Sequence, residues 1–301
     1  MTTTVTDDAA GQQSPMRANF TRPGPPREIA AGVFWLGGCS DTGAWRGKWA
    51  KEKQRRHVYT NAYLIIGSKR SLLVESGHSA HWDGISAHLD QALGDRPLDF
   101  VFPSHQEIPH CGNLGRLAEK YPELSVVGDV SEYDLYYPNI ARASLQPTGP
   151  GDRIDLGGIE VEFLPAIWHD LPRTHWLWAA GPEALFCIDG LQFSHDHWAN
   201  DCGKVSDELS AVPAGAFIEV PAHDTIKWAV YSDMQGLGEQ FVRLVEQRQP
   251  RLFAPTHGAP IVGDSIPLVP LIQNILDTIE IMSRPPAPDS SGVPGVGGGG
   301  G

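Results

Sequence analysis

The sequence predicts an α/β fold in which two β-sheets pack face to face with helices on both outer sides, an αββα sandwich. Three observations point there. Short runs rich in β-branched and aromatic residues dominate the first part of the chain and alternate with helical periods later. The elements fall into two loosely similar halves. Residues able to bind a metal recur directly after strand ends, where the loops of such folds carry chemistry.

The expected strands begin with residues 32–36, 59–66 and 71–75, each bounded by glycine or charged turns. Residues 80–93 place Ile85, Leu89 and Leu93 at helical spacing, and Gly94 and Pro97 close the helix. A strand at 98–102 runs directly into the segment SHQEIPHCGN. A helix at 114–120, a strand at 124–127 and two strands at 159–164 and 184–188 follow. Further strands are expected at 216–220 and 252–254, with a helix at 231–247 between them. A last helical pattern covers 266–282, with Pro267 and Pro270 in or just before its first turn.

Residues 1–27 are rich in Thr, Asp, Gln, Pro and Ala without apolar periodicity, and 284–301 read RPPAPDSSGVPGVGGGGG. Neither segment buries enough apolar surface to offset its ordering entropy, so both are expected to be disordered tails around one domain at 28–283. The net charge of −13 argues against nucleic acid as a partner. The basic cluster Lys48, Lys51, Lys53, Arg55 and Arg56 is interrupted by Trp49 and Glu52 and reads as a solvated loop. No run approaches the roughly 18 apolar residues of a membrane span, so no membrane association is expected. The four cysteines show no C-x-x-C spacing and no secretory apolar region opens the chain, which makes a reducing cytoplasm the expected setting.

The strongest local pattern is His105-x-Glu107-x-x-His110, after the strand at 98–102. Alternation puts His105 and Glu107 on one side of an extended loop, and His110 arrives near a helix start. Imidazole and carboxylate together suit iron, manganese or zinc. Three more candidates follow strands: His169 after 159–164, Asp189 at the end of ALFCI, and His257 after LFAPT. Trp168, Trp176, Trp178 and Trp198 cluster around these motifs, with core packing as their expected role and an apolar substrate pocket as the alternative.

The series H-x-E-x-x-H, IWHD, LFCIDG and APTHG resembles the metallo-β-lactamase superfamily, and more specifically its flavodiiron and oxygen-binding di-iron branch, where the second motif position is Glu as Glu107 is here. YTNAYLI at 59–65 and LLVESG at 72–77 are similar to the family's opening strands. The resemblance spans about residues 30–265. It implies a metallo-β-lactamase-type αββα sandwich with His105, Glu107 and His169 on a first metal, His110 and His257 on a second, and Asp189 bridging them. Iron is the expected metal, with manganese or zinc as alternatives. Glu107, Asp189 and His195 are the expected catalytic residues, His195 because relatives often carry a histidine near the pocket at that point.

One position departs from the family pattern H-x-E-x-D-H. Pro109 replaces the aspartate and offers neither a carboxylate nor an N–H, which leaves the second metal uncertain. Asp170, His175, His195 and His197 are the candidate substitutes, with Asp170 expected to hydrogen-bond an imidazole ligand. The resemblance implies a non-haem di-iron oxidoreductase acting on dioxygen or a related small molecule such as nitric oxide. A metal-dependent hydrolase of an ester, thioester or lactone is the first alternative, and a non-catalytic oxygen or redox sensor the second. Flavodiiron enzymes carry a flavodoxin domain after this one. The Pro/Gly-rich ending predicts none here, so a separate electron-donor protein is expected. Homodimers are common in the family.

Overall fold

The computed structural model of the 301-residue chain describes residues 20–21, 26–41, 56–196, 199–210, 226, 228 and 231–262. The strand expected at 216–220, the helix expected at 266–282, the basic cluster at 48–55, His197, Trp198 and the tail at 284–301 lie outside the described residues.

Among the described residues the strands form two sheets. The first contains β1 (Phe20–Thr21), β2 (Arg27–Ala30), β3 (Val33–Asp41), β4 (Arg56–Ile66), β5 (Ser71–Val74), β6 (Phe100–Phe102), β7 (Ser125–Gly128) and β8 (Leu145–Pro147). The second contains β9 (Arg153–Asp155), β10 (Glu160–Pro165), β11 (His175–Ala179) and β12 (Ala184–Ile188). A short β13 (Ser194–Asp196) returns to the first sheet and pairs with β4, and β14 (Leu252–Pro255) and β15 (Ile261–Val262) complete the second. Their orders are β1-β3-β4-β5-β6-β7-β8, with β2 on β3 and β13 on β4, and β15-β14-β12-β11-β10-β9.

Residue alternation explains why the first sheet lies inside a sandwich. Along β4, Tyr59, Tyr63 and Ile65 join the core between the sheets, whereas Ala62 and Leu64 join the core under the helices. The same split separates Leu72 and Val74 from Leu73 on β5 and Val127 from Val126 on β7. The outer layer is α1 (Trp82–Leu93), with Ile85 and Leu89 fully buried, the single turn α2 (Ile108–Cys111), and α3 (Leu114–Lys120); a further turn, α4 (Tyr133–Tyr136), adds the buried Tyr133. In the second sheet all five residues of β12 are buried. The helix α5 (Met234–Arg248) lays Phe241 against Phe253, Trp176 and Trp168. The expected αββα sandwich is the observed architecture, and Trp168, Trp176 and Trp178 belong to its core. Each fully buried Phe or Leu contributes roughly 1.5–3 kcal/mol.

Part of the segment expected to be an unfolded tail is ordered. Phe20 and Thr21 pair with Cys39 and Gly38 of β3, and Arg27 opens β2 opposite Trp35. Backbone pairing at a sheet edge requires no apolar period, which is why composition missed it.

The topology gathers one end of the molecule into a site. Strands β5, β6 and β7 run parallel, with α1 and α3 crossing between them, and β12 runs parallel to β14. The carboxyl ends of β5, β6, β12 and β14 are followed by Glu75, His105, Asp189 and His257.

Candidate metal centre

Asp189 lies at the centre of the cluster. Its carboxylate is 1% exposed, and Oδ2 stands 3.5 Å from Nε2 of both His105 and His110, while Oδ1 stands 3.6 Å from His257 Nε2. These separations are long for hydrogen bonds. They match two ligand atoms on one ion, since metal–ligand lengths of about 2.0–2.2 Å at a tetrahedral angle put the ligand atoms about 3.4 Å apart. The Nε2 atoms of His105 and His110 and both oxygens of Asp189 are buried without a hydrogen-bond partner in the protein. Buried polar atoms left in that way each cost about 1–3 kcal/mol, a penalty that a shared cation removes. The donor set therefore fits a metal ion.

The backbone is strained at Glu75 and immediately before Asp189. Ile188, just before Asp189, has φ 51°, and Glu75 has φ 62°. The left-handed region is costly for any residue with a side chain and most of all for a β-branched one. Hydrogen bonds hold the turn: Thr256 N donates to Ile188 O at 2.8 Å and Gly190 N to Cys187 O at 2.7 Å.

Each imidazole is oriented through its other nitrogen. His257 Nδ1 lies 2.8 Å from Tyr59 O, and His110 Nδ1 lies 3.2 Å from Glu75 Oε1. Ser104 Oγ stands 3.0 Å from His105 Nδ1 and 3.3 Å from His110 Nδ1. Glu75 accepts from Ser104 N at 3.2 Å and from Thr256 Oγ1 at 3.4 Å, tying loops of both sheets together. The loop carrying His257 is also clamped to β4. Asn61 Nδ2 donates to Pro255 O at 2.7 Å and to Gly258 O at 2.6 Å, and the Tyr63 hydroxyl donates to Pro255 O at 2.6 Å.

Electrostatics point the same way. Burial holds the His110 and His257 imidazoles down to about 3, and lowers His105 and His169 as well, so all four present lone pairs at neutral pH. Burial, reinforced by Asp170, Glu75 and Glu107, drives the Asp189 carboxyl well above the usual carboxylate range. Burial also raises Glu75 to about 7 and lifts Glu107. A cation beside Asp189 would offset these penalties.

The predicted residues distribute as follows. His105, Glu107 and His110 form one group of ligand atoms within 4.8 Å of one another, and His110, Asp189 and His257 form a second. His169 enters neither group, although it is near enough to His105 to act on its titration, and its Nδ1 is buried without a hydrogen-bond partner. Asp170 joins a third group with His105 and Asp189, its Oδ1 3.5 Å from His105 Nε2. Pro109 is buried in the first turn of α2 behind Glu107.

His195 is placed elsewhere. Antiparallel pairing sets it opposite His57, on the face of the first sheet, where its ring stacks on Tyr59 at 4.2 Å and groups with Cys39, His57 and Cys202. His175 lines a separate surface pocket with Asp129, Glu132 and Arg173. Glu75 was missed as an orienting residue, and its signal was an acidic residue at the carboxyl end of an apolar strand. A cavity of about 330 Å³ lined by Gln106, Asp129, Glu132, Leu171, Pro172 and Arg173 opens onto His105. Its lining is polar and charged rather than tryptophan-rich.

Residues 55–207 match the family model described as the metallo-beta-lactamase superfamily. In sequence the chain is similar to the coenzyme F420H2 oxidase of Methanothermobacter marburgensis, with 29% identity over 185 residues, 56% of this chain and 41% of that protein. It is also similar to the nitric oxide reductase of Moorella thermoacetica, with 25% identity over 167 residues, 54% of this chain and 38% of that protein. The chain thus spans about two-fifths of the length of these two relatives. In structure it resembles the rubredoxin oxygen:oxidoreductase of Desulfovibrio gigas, with a TM-score of 0.64 and 17% identity, covering 85% of this chain and 61% of that one.

Proposed function

Because the chain belongs to the metallo-β-lactamase superfamily, we propose that it is a non-haem di-iron oxidoreductase that reduces dioxygen or nitric oxide. The observation that carries this reading is the ligand chemistry around Asp189: carboxylates from Glu107 and Asp189 stand among the imidazoles, a harder set than the all-imidazole first site of zinc hydrolases. The relatives named as oxidases and as a nitric oxide reductase support it.

His105, Glu107 and His169 would hold the first ion, His110 and His257 the second, and the two oxygens of Asp189 would serve both. Bound iron supplies reversible electron transfer and a place for a small oxidant to bind. The protein keeps the imidazoles neutral, fixes their direction through Ser104, Glu75 and Tyr59, and admits a small molecule beside His105. Glu107 is the partly exposed carboxylate of the cluster, suited to exchanging protons with solvent.

Pro109 makes the two halves unequal. Asp170 lies on the His105 side, so carboxylates concentrate at the first ion, while the second has two imidazoles and its share of Asp189. Graded treatment with chelator should remove the second ion first. Reduction consumes electrons that side chains do not replenish, so turnover requires an external donor, which we assign to a separate redox protein.

The direct test follows dioxygen or nitric oxide consumption by the iron-loaded chain with an artificial reductant. Consumption that falls at least tenfold in His105→Ala supports the reading. Esterase or lactonase activity with zinc and no consumption of either gas would overturn it in favour of a hydrolase. A reversible absorbance change on adding oxygen, without turnover, would leave a sensor instead.

A further inference from the structure

We propose that Cys39, His57, His195 and Cys202 form a second, structural metal site for zinc, separate from the Asp189 centre. The four ligand atoms lie within 4.8 Å of one another. Cys39 Sγ stands 3.4 Å from Cys202 Sγ and 3.4 Å from His57 Nδ1. Cys202 Sγ stands 3.4 Å from His195 Nε2 and 3.6 Å from His57 Nδ1. A tetrahedral zinc with bonds of about 2.3 Å to sulfur and 2.0–2.1 Å to nitrogen sets sulfur and nitrogen about 3.5 Å apart and two sulfurs about 3.8 Å apart. The cluster therefore has the spacing of a closed site and needs only a few tenths of an ångström of sulfur movement to take the ion.

The scaffold that produces this spacing is rigid. On β3 and β4, Cys39 pairs with Tyr59, two residues from His57 on the same face, and β13 sets His195 opposite His57. Three adjacent strands thus present three ligands to one side. Cys202 comes from the loop after β13, which the Tyr59 hydroxyl staples in place: it donates to Asp201 O at 2.9 Å and accepts from Gly203 N at 2.6 Å. Cys39, His57 and His195 are at most 3% exposed. Two thiolates and two neutral imidazoles balance the charge of a divalent ion, and a tetrahedral S₂N₂ set suits zinc. The cysteines are 163 residues apart, so no sequence spacing announces them.

The site would fasten the loop at 199–204 to the first sheet. It also backs onto the other centre through one residue, since Tyr59 stacks on His195 and its carbonyl faces His257 Nδ1. The proposal does not rest on the iron reading and is read out by a different element.

The test is zinc analysis of the full chain purified from zinc-supplemented cells, beside Cys39→Ser and Cys202→Ser. The expected result is about one zinc per chain in the parent and its loss in both variants. Should the variants fail to fold, cobalt added to the metal-stripped, thiol-reduced parent decides. A thiolate-to-cobalt charge-transfer band at one equivalent supports the site, and its absence overturns it. Full zinc retention by a folded double variant would overturn the proposal, as would a Cys39–Cys202 disulfide in the protein as purified.

Discussion

Asp189 concentrates two costs in one side chain. It is a buried carboxylate among other carboxylates, and it follows a β-branched residue held at φ 51°. Those costs make sense for a group that bridges cations, and they give Asp189→Asn a two-sided signature. Without metal the variant should be at least as stable as the parent, because a buried ionisable group has gone. With iron added, the parent should gain about 2.7 kcal/mol at a hundredfold excess over the dissociation constant, and the variant should gain almost nothing. Thermal melts with and without iron measure both. The candidate ligands stand out individually in the sequence because each follows a strand end in a distinctive short motif. Glu75 and the Cys39–Cys202 pair do not, because an orienting role and a long-range pair leave no local pattern.

Among the elements, β3 and β4 do the most to place the site, and they were legible only in part. The sequence predicts strands at 32–36 and 59–66, whereas they run Val33–Asp41 and Arg56–Ile66. The added residues include Gly37, Gly38 and Arg56, which lack strand composition and are held by pairing with β1, β13 and each other. In contrast, α3 and β12 coincide with the expected 114–120 and 184–188, because each is short and sharply bounded. The strand β11 (HWLWA) has no counterpart among the expected strands; its tryptophans pack in the core as expected, while its backbone pairs with β10 and β12.

Two substitutions test these strands. Asn61→Ala should cost about 3 kcal/mol, because it takes the Asn61 partner from the Gly258 carbonyl and the Trp35 indole N–H in a buried setting and removes one of two donors to the Pro255 carbonyl. It should also lower affinity for the ion held by His257, measurable by chelator competition. Gly37→Ala should destabilise by a similar amount. Gly37 has φ 97°, and a Cβ there would collide with the Thr60 carbonyl. Denaturant unfolding gives both values.

At the scale of the molecule, two sheets meet so that four strand ends converge on one cluster of ligand-type side chains, with Tyr59 of β4 touching it through its carbonyl. The sandwich was readable from the order of strands and helices and from the two similar halves they form. The grouping of ligands depends on how the sheets stack, which no local pattern encodes: His195 is displaced to another cluster and Asp170 brought in beside His105. If both centres are present, the folded chain contains two chemically distinct metals on either side of Tyr59. Anomalous scattering from crystals of the full chain, collected at the iron and zinc absorption edges, tests this most directly. The account predicts iron signal among His105, His110, His257 and Asp189. Zinc as the sole metal at Asp189, or no metal there in protein prepared without chelator, would contradict it.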